Sequence, residues 1–304
     1  MGLEGLLKEA GFAGEVRYAE PMARHTSLRI GGPAEAMVFP EGVDELGRLV
    51  AAAHRGLVPV FFLGKGTNLL VRDGGIRGLV VNMRKLNWME VERGVQGTSQ
   101  VHAGAGVALS SLINFSAEAG FSGLEFAAGI PGTLGGAVAM NAGTHEAEMK
   151  DVLTGATLVD REGRVSKVSP AELKMGYRRS EIPEGSVVAE ATVALIPWPV
   201  EEVKERIAAN MRRRKATQPS KVRSAGSTFK NPPGYSAWKL IDMAGLRGRT
   251  VGQAQVSRMH TNFLINLGGA TAKDFKALMD LVVETVQEKL NIRLEPEIKI
   301  VGVE

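Results

Sequence analysis

Residues that could hold an anionic ligand are concentrated in the glycine-rich stretch 125–143. Its glycines stand at positions 129, 132, 135, 136 and 143, beside a single proline and almost no charge. Glycine adopts positive φ freely and lets a ligand approach the backbone, and bare N–H groups in such a loop can form a phosphate or pyrophosphate site. A buried connection between packed strands would also use many glycines. Glycine content alone leaves both interpretations open.

Three further segments carry side chains that could take part in a reaction. Ser227 directly follows Gly226, so it could form a turn or donate a proton from its hydroxyl. Glu297 begins a stretch of otherwise apolar alternation, where an edge residue could simply face water. Tyr177 stands beside Arg178 and a second arginine, a mixture that an ordinary surface loop would also explain. Residue types alone do not decide between these interpretations.

Several classes of site are excluded by composition and spacing. The chain has no cysteine, which excludes disulfides, thiolate metal sites and cysteine nucleophiles. Its histidines, at 25, 54, 102, 145 and 260, form no metal-binding pair, so no metal is expected. The turn at 64–67 lacks the spacing of a Walker loop, and neither 64–69 nor 104–109 has the third glycine of the Rossmann fingerprint.

Glycine-bearing turns near residues 31, 64 and 129 remain after these exclusions. Each follows a predicted strand. If the turns converge, they would suit a long cofactor that carries a pyrophosphate better than one small ligand.

The charge balance gives little support to nucleic-acid binding. Lys and Arg number 37 against 33 Asp and Glu, for a net charge of +4. The basic cluster 212–215 has no aromatic neighbour and ends a predicted helix, where cations suit the helix dipole. The start of the chain lacks a signal-peptide core, and no uncharged run approaches the ~20 residues of a membrane span. We therefore expect a cytoplasmic protein without nucleic-acid or membrane partners.

The elements that must position these residues are predicted from apolar periodicity and turn residues. We expect domains or subdomains at 1–80, 81–198 and 199–304, with the Pro-Trp-Pro sequence at 197–199 as the clearest boundary. The main predicted elements are a helix along 43–53, a strand along 59–63, a strand along 88–95, a hairpin that pairs 154–160 with 164–168, a helix from 200, a helix across 238–244, a helix across 275–290 opened by a capping box at 271–274, and a terminal strand along 297–303.

Taken together, these stretches resemble one family closely, the UDP-N-acetylenolpyruvoylglucosamine reductases of bacterial cell-wall synthesis. The match runs along nearly the whole chain, and its motifs occur in the family's order. They are TSLRIGGPA at 26–34, LGKGTNLL at 63–70, the stretch 129–143, Tyr-Arg-x-Ser at 177–180, AGSxFKNP at 225–232 and Glu-Pro-Glu at 295–297. The short segment between Arg178 and Val200 is similar to the shorter of the family's two groups, which lacks an inserted substrate-covering loop.

The resemblance implies an α+β fold in which two subdomains bind FAD, as in the vanillyl-alcohol oxidases, followed by a C-terminal α+β substrate domain. It implies non-covalent FAD, NADPH as co-substrate, and conversion of UDP-N-acetylglucosamine enolpyruvate to UDP-N-acetylmuramate in peptidoglycan synthesis. A monomer or weak oligomer is expected. The implied cofactor contacts are Gly64, Lys65, Gly66, Thr67, Asn68, Leu69, Gly129, Ile130, Pro131, Gly132, Gly135, Gly136, Asn141, Ala142 and Gly143, with N–H groups of 129–136 toward the pyrophosphate.

The same resemblance assigns the chemistry to Arg178, Ser227 and Glu297. Reduced FAD delivers hydride to the terminal vinyl carbon, and Ser227 protonates the neighbouring carbon. Arg178 and Glu297 flank the substrate carboxylate, where a guanidinium offers a bidentate fork and stabilises charge that grows in the transition state. The implied substrate contacts are Tyr177, Lys215, Asn231 and His260, with Arg214 as an alternative to Lys215.

Two alternatives to this function remain open at the level of sequence. One is another FAD oxidoreductase of the same fold that acts on a phenol or alcohol with oxygen as acceptor, but it should lack the set of Ser227, Arg178 and Glu297. The other is a non-catalytic binder of UDP-sugars or nucleic acid that uses the basic helix, and this protein would be colourless.

Overall fold

The computed structural model describes residues 2–93 and 97–304. Its helices are α1 (Leu3–Glu9), α2 (Val43–Arg55), α3 (Leu109–Glu118), α4 (Leu134–Ala139), α5 (Val200–Thr217), α6 (Ala237–Met243) and α7 (Ala272–Leu290). Its strands are β1 (Val16–Pro21), β2 (Pro33–Val38), β3 (Val60–Leu63), β4 (Leu69–Val71), β5 (Ile76–Asn82), β6 (Met89–Arg93), β7 (Ser99–Gly104), β8 (Phe121–Ser122), β9 (Leu153–Val159), β10 (Val165–Val168), β11 (Val187–Pro197), β12 (Arg223–Ser227), β13 (Thr250–Val251), β14 (Ala254–Val256), β15 (Phe263–Asn266) and β16 (Lys299–Val301).

The chain folds into two compact units that each draw on separate parts of the sequence. Unit 1 comprises 1–18, 36–65 and 78–214, and unit 2 comprises 19–35, 66–77 and 215–304. Helix α5 thus lies with unit 1 as far as Arg214. The division at 1–80, 81–198 and 199–304 stays a prediction.

Unit 1 contains an antiparallel sheet with strand order β10-β9-β11-β7-β6, to which β8 adds by pairing with β11. Strand β11 alternates inward and outward residues, so Ala191, Val193 and Leu195 reach the core, as the twofold period of a strand requires. Helix α2 buries Leu46 and Leu49 at helical spacing in the same core. The core thereby fixes the surface segments that carry the candidate site.

Unit 2 has its own core under the sheet β12-β15-β14-β13. Helix α7 presents Phe275, Leu278 and Val282 to that core, and all three are fully buried. The capping box of Thr271 and Asp274 at its start confirms the prediction. Strand β16 pairs in parallel with β4, which ties the last strand to residues 69–71.

A second four-stranded sheet has the order β1-β2-β5-β3, with β3 and β5 parallel. The hairpin predicted at 154–168 is confirmed by antiparallel β9 and β10, which a turn at Asp160 connects. The predicted strand along 88–95 is observed as β6, with Val95 outside the described residues. The strand predicted along 297–303 is observed only as β16, which spans Lys299–Val301. Glu297 lies outside it because its amide donates to the carbonyl of Thr228 instead. Among the described residues, none of the helices is long and apolar enough to cross a membrane.

Candidate functional site

The glycine-rich stretch lies in unit 1 and begins with Glu125, whose carboxylate is held by hydrogen bonds. Glu125 accepts hydrogen bonds from the Ser122 hydroxyl and the Gly123 amide, both at 2.6 Å. Its own carbonyl accepts from the Asn210 side chain of α5 at 2.9 Å. Helix α5 therefore holds the start of the stretch in place.

Most amides of the stretch that follow donate inside unit 1. Those of Ile130, Leu134 and Gly135 reach the carbonyls of residues 127, 107 and 105 at 2.8–3.0 Å. A Cβ built at Gly135 would lie 2.6 Å from the Ala105 Cβ, so packing explains that glycine. By contrast, Gly129 and Gly136 are exposed. The packing interpretation thus holds for the middle of the stretch, while contact of its other amides with a pyrophosphate stays a prediction.

Two of the glycine-bearing turns meet within unit 1. A Cβ built at Gly64 would lie 2.6 Å from the Thr133 Oγ1, so only glycine permits this approach. Thr133 is buried and caps α4, where its hydroxyl accepts from the Gly136 amide at 3.4 Å. The turn near residue 64 and the stretch 129–136 therefore form one continuous surface. Lys65 beside it is exposed.

The basic cluster 212–215 sends its side chains in different directions. Arg212 pairs with Glu205 of the same helix, and Arg213 pairs with Glu146, both at 2.6 Å. Arg214 is half-buried and packs on Gly129, where a built Cβ would lie 3.0 Å from its Cδ. Lys215 is exposed.

Arg214 differs from Arg212 and Arg213 because, within the described ranges, no carboxylate pairs with it. Burial of its guanidinium lowers the pKa of Arg214, and the nearby charge of Arg178 lowers it further. Two cations close together, here Arg178 and Arg214, suit a surface that receives an anion. Of the two candidates, Arg214 is the half-buried one that packs on Gly129, and the contact of either with a ligand phosphate stays a prediction.

Arg178 lies in unit 1 at the tip of a tight turn. The amide of Gly176 donates to the Arg179 carbonyl and the reverse bond also forms, at 3.0 and 3.1 Å. Arg178 has φ of 56°, an uncommon conformation for a residue with a side chain. Its Nη2 donates to the Gly143 carbonyl at 2.9 Å, and its Cζ stands 5.0 Å from the centre of the exposed Tyr177 ring.

The turn that carries Arg178 is held by Asn141, which the sequence suggested as a cofactor contact. Asn141 is fully buried, and its Nδ2 donates to the Gly176 carbonyl and to Glu148 Oε2, both at 3.0 Å. Its Oδ1 accepts from the Lys150 amide at 2.9 Å. The amide group is thus engaged by the protein, so its role toward a cofactor is at most through its backbone.

Ser227 and Glu297 come together within unit 2, although the sequence separates them widely. The Glu297 amide donates to the carbonyl of Thr228, the residue after Ser227, at 2.8 Å. The next step of this ladder runs from the Lys230 amide to the Glu295 carbonyl, also at 2.8 Å. The Ser227 hydroxyl is half-buried and has no hydrogen-bond partner in the described part of the chain.

Asn68 has a structural role that the motif did not reveal. Its Nδ2 donates to the Glu297 carbonyl at 3.1 Å, and its own carbonyl accepts from Lys299 at 3.0 Å. Gly66 before it has φ of 63°, and a Cβ there would overlap the carbonyl oxygen of His25. The segment from Gly66 to the buried Leu69 therefore holds the backbone of Glu297 in place. A ligand contact of Thr67 stays a prediction.

The other predicted substrate contacts of unit 2 are Asn231 and His260. Asn231 Oδ1 accepts from the Ala237 amide at the start of α6 at 2.9 Å. The His260 ring stands 4.9 Å from that of Phe263, and its Nδ1 is buried without a hydrogen-bond partner among the described residues. Burial lowers the pKa of His260, and the charge of Arg247 adds to this effect. Across 2–93 and 97–304, no cluster of acids and histidines could hold a metal ion.

Comparison with known proteins finds matches along nearly the whole chain. The FAD binding domain model matches residues 34–169, and the model of the UDP-N-acetylenolpyruvoylglucosamine reductase C-terminal domain matches 218–301. The UDP-N-acetylenolpyruvoylglucosamine reductase of Caldanaerobacter subterraneus is 45% identical over 297 residues, which covers 97% of each chain. That of Symbiobacterium thermophilum (reductase 2) is 44% identical over 95% of this chain and 93% of its own.

The chain belongs to the UDP-N-acetylenolpyruvoylglucosamine reductase family. A crystal structure of the family's enzyme from Thermus caldophilus superposes with a TM-score of 0.79 at 39% identity, over 95% of this chain and 99% of that one. The predicted family and fold class are confirmed, and so is an FAD-dependent oxidoreductase of peptidoglycan synthesis. Assignment to the shorter group, and the roles of individual residues, stay predictions.

Proposed function

We propose that this chain reduces UDP-N-acetylglucosamine enolpyruvate to UDP-N-acetylmuramate, with NADPH as co-substrate and non-covalent FAD as cofactor. Family membership supports the reaction, and one observation of the site carries the assignment of its residues. The hydroxyl of Ser227 is left without a protein partner in the described residues, while Glu297 is tied beside it through Thr228. A hydroxyl that the protein does not engage is available to deliver its proton to a bound substrate.

Unit 1 has a surface that fits FAD. Exposed Gly129 and Gly136 let a flat cofactor lie against the backbone, and Gly64 adjoins them through Thr133. The guanidinium of Arg214 offers positive charge to a pyrophosphate or to the substrate. We assign FAD to this surface, with the predicted contacts at 64–69, 129–136 and 141–143. When bound and reduced by NADPH, FAD supplies the hydride for the terminal vinyl carbon.

The residues of the chain provide binding, orientation and a proton. Arg178 receives the substrate carboxylate with its fork of N–H donors and stabilises the negative charge that spreads into it as the enolate forms. Glu297 is assigned to the same carboxylate on the family pattern alone. Ser227 gives its hydroxyl proton to the carbon next to the carboxylate, which completes the lactyl ether.

The remaining proposed contacts also bind the substrate. Tyr177, Asn231 and His260 stay as proposed, and Arg214 takes the role suggested for Lys215 because it is the half-buried group of the two. We further propose a cytoplasmic monomer or weak oligomer of the family's shorter group, as the resemblance implies.

A purified preparation tests the function directly. We expect a yellow protein with an absorption band at ~450 nm that oxidises NADPH rapidly only when the enolpyruvyl UDP-sugar is present. UDP-N-acetylglucosamine, which lacks the enolpyruvyl group, is the matched control. A colourless protein after addition of FAD, or equal NADPH oxidation with both sugars, would overturn the proposal.

A further inference from the structure

Glu148 approaches Arg178 in a way that the proposed reaction does not use. Its Oε1 lies 3.9 Å from Arg178 Nη1, and the two side chains are 16% and 18% exposed. The distance is too long for a hydrogen bond but short enough for a strong charge interaction in a poorly hydrated place. A carboxylate therefore already faces the guanidinium that is to receive the carboxylate of the substrate.

Each partner is held by other groups, so the contact does not serve to fix either one. Arg178 is bound to the Gly143 carbonyl at 2.9 Å. Glu148 Oε2 accepts from Asn141 at 3.0 Å and pairs with Lys150 Nζ at 2.9 Å. Loss of the charge on Glu148 would thus leave the position of Arg178 largely unchanged.

The charged groups around this contact act on the potential at Arg178 with opposite signs. Arg214 raises the positive potential at Arg178, as the effect of Arg178 on the pKa of Arg214 indicates. Glu148 lowers that potential from the other side, and Lys150 compensates part of the charge of Glu148 at the surface. Asp151 belongs to the same turn, but it caps the backbone of Glu148 rather than facing Arg178.

We propose that Glu148 sets how tightly Arg178 holds the substrate carboxylate before the reaction. The proposal rests on the proposed function, since it takes Arg178 as the group that receives the enolpyruvyl carboxylate. In this proposal Glu148 does not contact the substrate. It acts only through Arg178, because its negative charge lowers the potential there. Its charge opposes binding of the ground-state carboxylate, and affinity spent on the ground state would not accelerate the reaction.

The test compares the binding of two ligands to the FAD-loaded full chain by equilibrium dialysis. UDP-N-acetylglucosamine enolpyruvate carries the carboxylate, and UDP-N-acetylglucosamine does not. We expect Glu148→Gln to bind the enolpyruvyl compound about five- to tenfold more tightly and the plain sugar nucleotide within about twofold of wild type. Glu146→Gln is the matched control, because Glu146 lies on the same turn but pairs with Arg213.

A second variant keeps the test decisive if Glu148→Gln fails to fold. Lys150 is at the surface, so Lys150→Gln should leave the fold intact, and it removes the cation that compensates Glu148. For Lys150→Gln we expect the opposite change in affinity. The enolpyruvyl compound should bind about two- to threefold more weakly relative to the plain sugar nucleotide. In an Arg178→Ala background, Glu148→Gln should no longer alter the difference between the ligands.

The outcomes separate this proposal from the proposed function. If wild type prefers the enolpyruvyl compound but Glu148→Gln keeps the same preference, or weakens it, only the role of Glu148 is wrong. If Glu148→Gln weakens both ligands equally, the residue is structural and the proposal is also overturned. If wild type does not distinguish the two ligands, the assignment of Arg178 fails and the role of Glu148 falls with it.

Discussion

The amide of Glu297 donates to the carbonyl of Thr228, the residue after Ser227, at 2.8 Å. This bond joins the strand that carries the proposed proton donor to the segment that carries the proposed acid. Asn68 supports the same segment by donating to the Glu297 carbonyl at 3.1 Å. The backbone segments that carry Ser227 and Glu297 are thus held together by hydrogen bonds inside unit 2.

Ser227→Ala should separate the two halves of the reaction. The hydroxyl has no hydrogen-bond partner among the described residues, so its loss should not disturb the fold. We expect reduction of the flavin by NADPH at the wild-type rate, and reoxidation by the enolpyruvyl substrate slowed by about 10²–10⁴-fold. Stopped-flow absorbance follows both steps, with Ser224→Ala as control on the same strand. Equal loss in both steps would contradict the role of Ser227.

Asn68→Ala should affect Glu297 more than it affects the cofactor. The change removes the hydrogen bond to the Glu297 carbonyl and should lower the free energy of unfolding by about 1 kcal/mol. Because Glu297 then lies less firmly beside Ser227, reoxidation of the flavin should slow by about tenfold or more. Urea unfolding and the same stopped-flow assay measure the two effects. A large loss of FAD affinity without a change in reoxidation would instead favour a direct cofactor contact.

Arg214→Gln should weaken the binding of an anion without destabilising the apoprotein. Burial and the neighbouring Arg178 both lower the pKa of Arg214, which means that the folded state disfavours its charge. Removal of that charge should leave the thermal midpoint of the apoprotein unchanged or higher, while FAD or substrate affinity falls about tenfold. Arg212→Gln, at the exposed neighbour, should change neither affinity. A lower midpoint with unchanged affinities would show that Arg214 is structural.

His260 should make part of the stability depend on pH. Because burial lowers the pKa of His260 in the folded state, the unfolded chain binds a proton more readily between that lowered pKa and the ordinary histidine pKa of 6.5. Stability from this residue is present above 6.5 and declines as the pH falls through that window. Thermal midpoints at pH 7.5 and 5.5 should differ less in His260→Phe than in wild type. An unchanged difference would mean that other groups account for the pH dependence.

The sequence predicted the elements better than it predicted which of them meet. Helix α7, its capping box and the hairpin of β9 and β10 follow from local patterns, because caps and turns are decided by residues close in the chain. Pairing of Glu297 with Thr228 is long-range and leaves no periodic signal. It was therefore not predicted from the sequence.

The candidate site shows the same limit at the level of side chains. Asn141 and Asn68 are polar residues in glycine-rich motifs, which favoured a cofactor contact, yet their side-chain amides hold Gly176, Glu148 and Glu297. In the cluster 212–215, the resemblance implied Lys215 as the substrate contact, with Arg214 as the alternative. Only the packing of Arg214 on Gly129 distinguishes them, because exposure depends on the neighbouring segment and not on residue type.

The candidate site depends on how helix α5 is rotated about its own axis. Successive residues of an α-helix are turned by about 100°, so Asn210, Arg213 and Arg214 reach Glu125, Glu146 and Gly129 only at one setting of the helix. An insertion or deletion of one residue between Val200 and Asn210 would redirect all of these contacts together. Length changes in this helix should thus be far less acceptable than substitutions on its solvent face, which makes its residue count, as much as its composition, a requirement for binding.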